Sequence, residues 1–176
     1  YRIATVGIGR TFQNIRLFKK LSVLDNVRVG MHSVSRAGFV SAMLHTPWAV
    51  KREKVTCEKS MALLKLVGLE NKAIELAGSL PYGEQRRLEI ARAMALEPSL
   101  LLLDEPAAGM NATEKEELLV LIRRIREMGV TVLLVEHDMN VVMNICDRIA
   151  VLDYGRKIAE GTPEEIKNNP RVIESY

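Results

Sequence analysis

Hydrophobic positions along the chain follow two rhythms. From Leu21 to Gly78 they recur at helical spacing. "SVLDNVRVG" opens on a serine N-cap signal, and "KREKVTCEKSMALLKLVGL" carries an apolar stripe that stops at Gly68. Between them, "MHSVSRAGFVSAMLHTPWAV" mixes Gly, Ser and Pro without a sustained period and reads as a loop or short irregular insertion. After Gly78, compact apolar runs alternate with amphipathic stretches. "GEQRRLEIARAMAL" predicts a helix whose end is marked by Pro98. "SLLLLDE" and "VTVLLVEH" predict fully buried strands, being too apolar for a sheet with one wet face. "TEKEELLVLIRRIREM" predicts an amphipathic helix ending near Gly129, and "MNVVMNICD" a further helix. "RIAVLDYGRKIAEG" reads as a hairpin turning at Tyr154-Gly155, and "TPEEIKNN" as a helix with Pro in its first turn. The stretch up to Phe18 is short and mixed.

Strand and helix alternating over residues 79–176 imply an α/β fold built on a largely parallel sheet. The chain then divides into residues 1–18, a helical segment at 19–78, and the α/β part at 79–176.

Composition narrows the function classes. With 176 residues and 48% hydrophobic positions, the chain can bury a core of one ordinary domain. Its 25 basic and 22 acidic residues leave a formal charge of +3, too mild to argue for nucleic acid. No apolar stretch approaches the ~20 residues that span a bilayer, and no signal peptide is visible, so a soluble or peripheral cytosolic protein is expected. Cys57 and Cys146 form no CxxC pair and read as incidental free thiols. His32, His45 and Trp48 read as surface or packing residues. Both ends are abrupt, "YRIATVG" and "VIESY", as expected of a piece of a longer protein.

The chemistry gathers at strand ends, where ligands of parallel sheets bind. "LLLLDEPAAGMN" drives an apolar strand into Asp104 and Glu105, and the next predicted strand ends on Glu136-His137. An acid in that place can simply favour a helix's first turn. A held loop at "PAAGMN" and a second polar cluster favour phosphoryl transfer. There an aspartate holds Mg²⁺ through water, a neighbouring carboxylate orients or deprotonates the attacking water, and an imidazole senses the terminal phosphate. Gly83 opens the helix after "LPY", whose unpaired N–H groups suit an anion. Arg86, Arg87 and Arg92 read as a solvated or interface face of that helix.

In order and spacing, "LPYGEQRRLEIARAM", "LLLLDEP", "AAGMN" and "VEHD" resemble the ATP-binding subunits of ABC transporters, and the likeness covers essentially the whole chain. The resemblance implies a partial P-loop NTPase (RecA-like) fold with an inserted helical subdomain and its N-terminal part missing. Gln13 in "RTFQ" takes the glutamine-loop position, reaching Mg²⁺ and the attacking water. "LPYGE" stands in the signature position: Gly83 fits, while Pro81, Tyr82 and Glu84 replace the serine, first glycine and glutamine, with Gln85 following. Asp104 closes the Walker B strand, Glu105 takes the catalytic glutamate position, Asn111 the D-loop aspartate position, and His137 the switch histidine position.

Within the family, "RTFQNIRLF" and "VEHDMNVVMNICDRIAVLDYG" are most similar to branched-chain amino-acid importers. That implies ATP and Mg²⁺ as cofactors and a peripheral place on the cytoplasmic face of the membrane. The implied partners are a second ATP-binding subunit in a homo- or heterodimer, two membrane-spanning permease subunits and an extracytoplasmic substrate-binding protein, without nucleic acid.

One motif is missing. The Walker A pattern GxxxxGK[ST] does not occur, and "VGIGR" lacks the GK[ST] that would make it a phosphate loop. Two readings stay open: part of an ATP-hydrolysing transport subunit, or a non-hydrolysing module that completes a partner's site. A DNA-repair ATPase is disfavoured by the short helical segment without a coiled-coil insertion.

Overall fold

The computed structural model describes residues 6–32 and 47–175. It falls into two compact units, residues 1–135 and 136–176.

The first unit holds a three-stranded parallel sheet of β1 (Ile8–Arg10), β2 (Leu100–Asp104) and β3 (Thr131–Val135), in the order β1-β2-β3. β1 was not legible in advance: three residues, one of them glycine, carry no period. Gly9 sits close to its neighbours there: a Cβ would meet the Ala93 carbonyl at 3.1 Å and Pro98 at 3.2 Å. β2 is central, with Leu101 and Leu103 buried. The expectation of full burial fails for β3. Leu133 and Val135 are 54% and 56% exposed, because they share one uncovered face of this edge strand while Val132 and Leu134 on the other face are half-buried.

Helix α1 (Val23–His32) is capped as the sequence implies, the Ser22 hydroxyl accepting from the Asp25 amide at 3.0 Å. Helix α2 (Pro47–Leu66) stops before Gly68, whose φ of +70° suits a left-handed C-terminal turn. Met31 and residues 47–50, read as part of an irregular insertion, are helical; residues 33–46, His45 among them, lie outside the described residues. Two short 3₁₀ turns, Glu70–Lys72 and Ala77–Ser79, lead to α3 (Tyr82–Met94). α3 buries Leu88, Ile90 and Ala91. α1 packs close to it through Gly30, where a Cβ would stand 2.5 Å from the Arg92 carbonyl. Helix α4 (Ala112–Glu127) buries Leu118, Leu121, Ile122 and Ile125, the amphipathic stripe read from the sequence.

In the second unit, α5 (Met139–Ile145) is capped by Asp138, which accepts from the Asn140 and Val141 amides. β4 (Ile149–Asp153) and β5 (Arg156–Gly161) form the expected hairpin. Positive φ at Tyr154 (+43°) and Gly155 (+77°) suits a mirror-image two-residue turn. This hairpin is its own two-stranded antiparallel sheet, not a continuation of the parallel one. Helices α6 (Pro163–Lys167) and α7 (Pro170–Ser175) complete a small core of Val142, Ile149, Ile166 and Val172.

Candidate functional site

β2 delivers two carboxylates to the sheet's edge at its carboxyl end. Asp104 is its last residue and accepts from Arg10 Nη2 at 3.2 Å, an ion pair the sequence did not reveal. Glu105 follows with φ of +45°, a left-handed conformation uncommon outside glycine. Its amide donates to the Val135 carbonyl at 2.9 Å, so the strained residue is fixed against the end of β3.

The path of the chain after β1 matters as much. Thr11 is buried, and its amide continues the ladder to the Leu102 carbonyl at 3.0 Å. Two residues on, Gln13 Nε2 donates to Glu105 Oε2 at 3.0 Å. Gln13 and Glu105 therefore meet although 92 residues separate them, with Asp104 next to Glu105 in the chain. This cluster offers a carboxylate for a hard cation, a second carboxylate for a water proton, and an amide that orients the second.

A second assembly forms at the start of α3. Pro81 is the N-cap residue and lends no side-chain acceptor. Gly83 is buried, and a Cβ there would lie 2.5 Å from Glu114 Oε1, so a larger residue would displace the Glu114 side chain in the first turn of α4. Tyr82 is partly exposed beside Gly109, whose φ is +75°. Glu84 is clamped by Lys72 Nζ at 2.7 Å from both carboxylate oxygens, and Gln85 Nε2 donates to the Leu80 carbonyl at 2.8 Å. Asn111 caps α4: its Oδ1 accepts from the Glu114 amide at 3.0 Å while Glu114 returns the bond to the Asn111 amide at 2.9 Å.

His137 stands in the second unit, exposed, its backbone N–H donating to Glu136 Oε2 at 3.2 Å.

The expectation that Arg86, Arg87 and Arg92 form a solvated or interface face is corrected. Arg86 is completely buried, paired with Glu89 at 3.0 Å, and donates to the Phe12 and Gln13 carbonyls. Arg87 is largely covered and pairs with Glu117. Arg92 lies 5.8 Å from the Phe18 ring centroid, and burial lowers its pKa from the ordinary arginine value. The signal that could have found the buried pair was the i,i+3 spacing of Arg86 and Glu89, with Leu88 and Ile90 beside them.

Comparison with known proteins completes the picture. The family described as "ABC transporter" matches residues 1–108, and "Branched-chain amino acid ATP-binding cassette transporter" matches residues 156–176. The chain is 46% identical over 176 residues to the high-affinity branched-chain amino acid transport ATP-binding protein LivG of Salmonella typhimurium, covering 99% of this chain and 69% of that one. It is 46% identical over 177 residues to the corresponding protein BraF of Pseudomonas aeruginosa, covering 100% of this chain and 69% of the relative. Among solved structures, the ADP conformation of an ATP-binding cassette of an ABC transporter superposes with a TM-score of 0.81 at 28% identity, over 99% of this chain and 70% of that one. A dimeric cassette in a post-hydrolysis state, bound to ADP and Pi, superposes with a TM-score of 0.71 at 28% identity, over 89% and 62% of the two chains.

Proposed function

The chain belongs to the ABC transporter family as an ATP-hydrolysing cassette of P-loop NTPase fold, and from that premise we propose that it drives import of branched-chain amino acids, with Gln13, Asp104 and Glu105 as the hydrolytic centre. The observation that carries this reading is the Gln13–Glu105 hydrogen bond, with Asp104 beside Glu105 in the chain.

In hydrolysis, a water oxygen attacks the γ-phosphorus as the bond to the bridging oxygen breaks. The Glu105 carboxylate takes the water's proton, and Gln13 holds that carboxylate in place. Asp104 and the Gln13 amide oxygen suit Mg²⁺, a hard cation that prefers oxygen donors. Among the described residues no group of three or more His, Cys, Asp or Glu side chains could hold a metal ion, so Asp104 and Gln13 would be the chain's own contribution to holding Mg²⁺. Bound with nucleotide, Mg²⁺ neutralises charge on the phosphates.

Residues Pro81 to Gln85 serve a partner's nucleotide through the backbone N–H groups of Tyr82, Gly83 and Glu84, since Pro81 has none, the Gln85 amide donates to the Pro81 carbonyl, and the Glu84 and Gln85 side chains are engaged within the chain. Asn111 follows in the D-loop position, its side chain committed to the cap of α4. Two such subunits, identical or different, then build two composite sites. Residues 1–176 contain no GxxxxGK[ST] phosphate loop.

His137 contacts the terminal phosphate in this scheme. His137→Ala in the complete subunit is expected to cut hydrolysis roughly 100-fold, with nucleotide affinity changed far less. Paired phosphate-release and nucleotide-binding assays check this. A stable, fully active variant removes His137 from the mechanism.

Among the described residues no helix is long and apolar enough to cross a membrane, consistent with a peripheral subunit on the cytoplasmic face, bound to two permease subunits served by an extracytoplasmic binding protein. Phe18 and Leu21 are exposed just beyond the Gln13 loop, at the entry to the helical segment of residues 19–78, and offer an apolar seat for a permease helix. A cysteine at exposed Lys19 is expected to cross-link to the permease in the assembled transporter. Absence of any cross-link in an active assembly counts against this docking site.

A further inference from the structure

The loop that presents Gln13 belongs to neither a strand nor a helix, so its backbone polar groups need partners elsewhere. Two charged side chains of α3 provide them. Arg86 Nη1 donates to the Phe12 carbonyl at 2.6 Å, and Nη2 to the Gln13 carbonyl at 2.7 Å. Glu89 Oε1 accepts the Arg16 amide at 3.1 Å, while Oε2 accepts from Arg86 at 3.0 Å. Both side chains are buried, at 0% and 1% exposure.

A buried ion pair is a poor device for stability, because desolvation offsets most of the attraction and apolar residues of similar volume often do as well. What this pair supplies is geometry. A guanidinium is a planar fork with fixed donor directions, suited to two successive carbonyls. The loop has lesser supports: the Phe12 ring lies under Arg10 and Arg16, at 5.1 and 4.3 Å, and buried Asn26 bonds both backbone groups of Phe18. Neither reaches the Gln13 backbone. Arg86 also donates to the Tyr82 hydroxyl at 3.1 Å, so the same side chain touches the first turn of α3 and the glutamine loop.

We propose that Arg86 and Glu89 are positioning residues that set Gln13 on Glu105 and carry any displacement of α3's first turn into that contact. The proposal rests on the ATPase reading and extends it: the turn that answers a partner's nucleotide is wired to the hydrolytic carboxylate of its own chain.

The test uses the complete subunit and the variants Arg86→Lys, Glu89→Gln, Glu89→Ala and Gln13→Ala, with the double variant Arg86→Lys/Gln13→Ala. Lysine keeps the charge but loses the fork. Arg86→Lys is expected to lower kcat roughly 100-fold with little change in KM, the cost of misplacing a group by about an ångström. Amide exchange at residues 12–16 should quicken while α3 and β2 stay protected. In the Arg86→Lys background, Gln13→Ala should cost nothing further, since Arg86 acts through Gln13. Glu89→Gln, which keeps an acceptor for the Arg16 amide, should retain more activity than Glu89→Ala. Unchanged exchange at residues 12–16 in Arg86→Lys overturns the proposal. So do losses that multiply in the double variant, or equal losses for the two Glu89 variants. A wild-type subunit without ATPase activity would sink the functional reading instead, and the exchange measurement would still judge the clamp.

Discussion

The complete subunit carrying Glu105→Gln is expected to bind Mg·ATP, to accumulate as a nucleotide-bound dimer, and to turn over roughly 100- to 1,000-fold more slowly than wild type. Glutamine has nearly the shape of glutamate, and its amide oxygen can still accept from Gln13 Nε2, which lies 3.0 Å from Glu105 Oε2. It cannot take a proton from water. The loss corresponds to about 3–4 kcal/mol of barrier, the scale of removing one group from a preorganised transition-state site. The left-handed backbone at position 105 makes glutamine the right probe, since the change leaves the strained turn untouched and a β-branched residue would not. Phosphate release and size-exclusion chromatography with ATP read the two halves of the expectation. Ordinary turnover would remove Glu105 as the base.

Residues 1–176 by themselves are expected to show no ATPase activity and at best millimolar affinity for ATP, about 4 kcal/mol of binding. In this family of folds a triphosphate is wrapped by backbone N–H groups of a glycine-rich loop with a lysine on its outer phosphates. Nothing of that pattern occurs in the chain, and the one glycine-rich candidate, "VGIGR", places Ile8, Gly9 and Arg10 in β1, not in a turn from strand to helix. Arg10 itself is held by Asp104. The exposed Leu133 and Val135 on edge strand β3 should also make the isolated chain prone to associate. Calorimetry with Mg·ATP and light scattering measure these outcomes. Micromolar binding would mean that a phosphate loop had been overlooked.

Much of the fold could be read from local signals strong enough to survive packing. The cap at Ser22, the first-turn proline of α6, the stop at Gly68, the apolar stripe of α4 and the turn at Tyr154-Gly155 are each set by a few neighbouring residues. What failed was set by distant partners. β1 exists because Ile8 to Arg10 pair with Leu100 to Leu102, not because three residues favour a strand. β3 is as apolar as a central strand, yet its place in the sheet leaves Leu133 in solvent.

The site divides the same way. Asp104, Glu105 and Gln13 were singled out by residue type and order, and the structure joins Gln13 to Glu105 and Arg10 to Asp104. The partner of Arg10 was not legible, and the Arg86–Glu89 pair left only its i,i+3 spacing as a signal, since an arginine's sequence neighbours do not tell which distant carbonyls its charge will meet. The role of Asn111 was legible only in part. Its position follows the Walker B strand as the resemblance implies, while its side chain is spent on a helix cap that the spacing to Glu114 announces.

The most direct measurement is phosphate release by the complete subunit, reconstituted with its permease in vesicles and supplied with Mg·ATP and substrate-binding protein. Steady Mg²⁺-dependent hydrolysis is expected, rising when the binding protein carries a branched-chain amino acid and lost in the Glu105→Gln variant. A wild-type assembly that binds its substrate protein but releases no phosphate, or one whose hydrolysis survives Glu105→Gln unchanged, would contradict the assignment of these carboxylates to transport-coupled ATP hydrolysis.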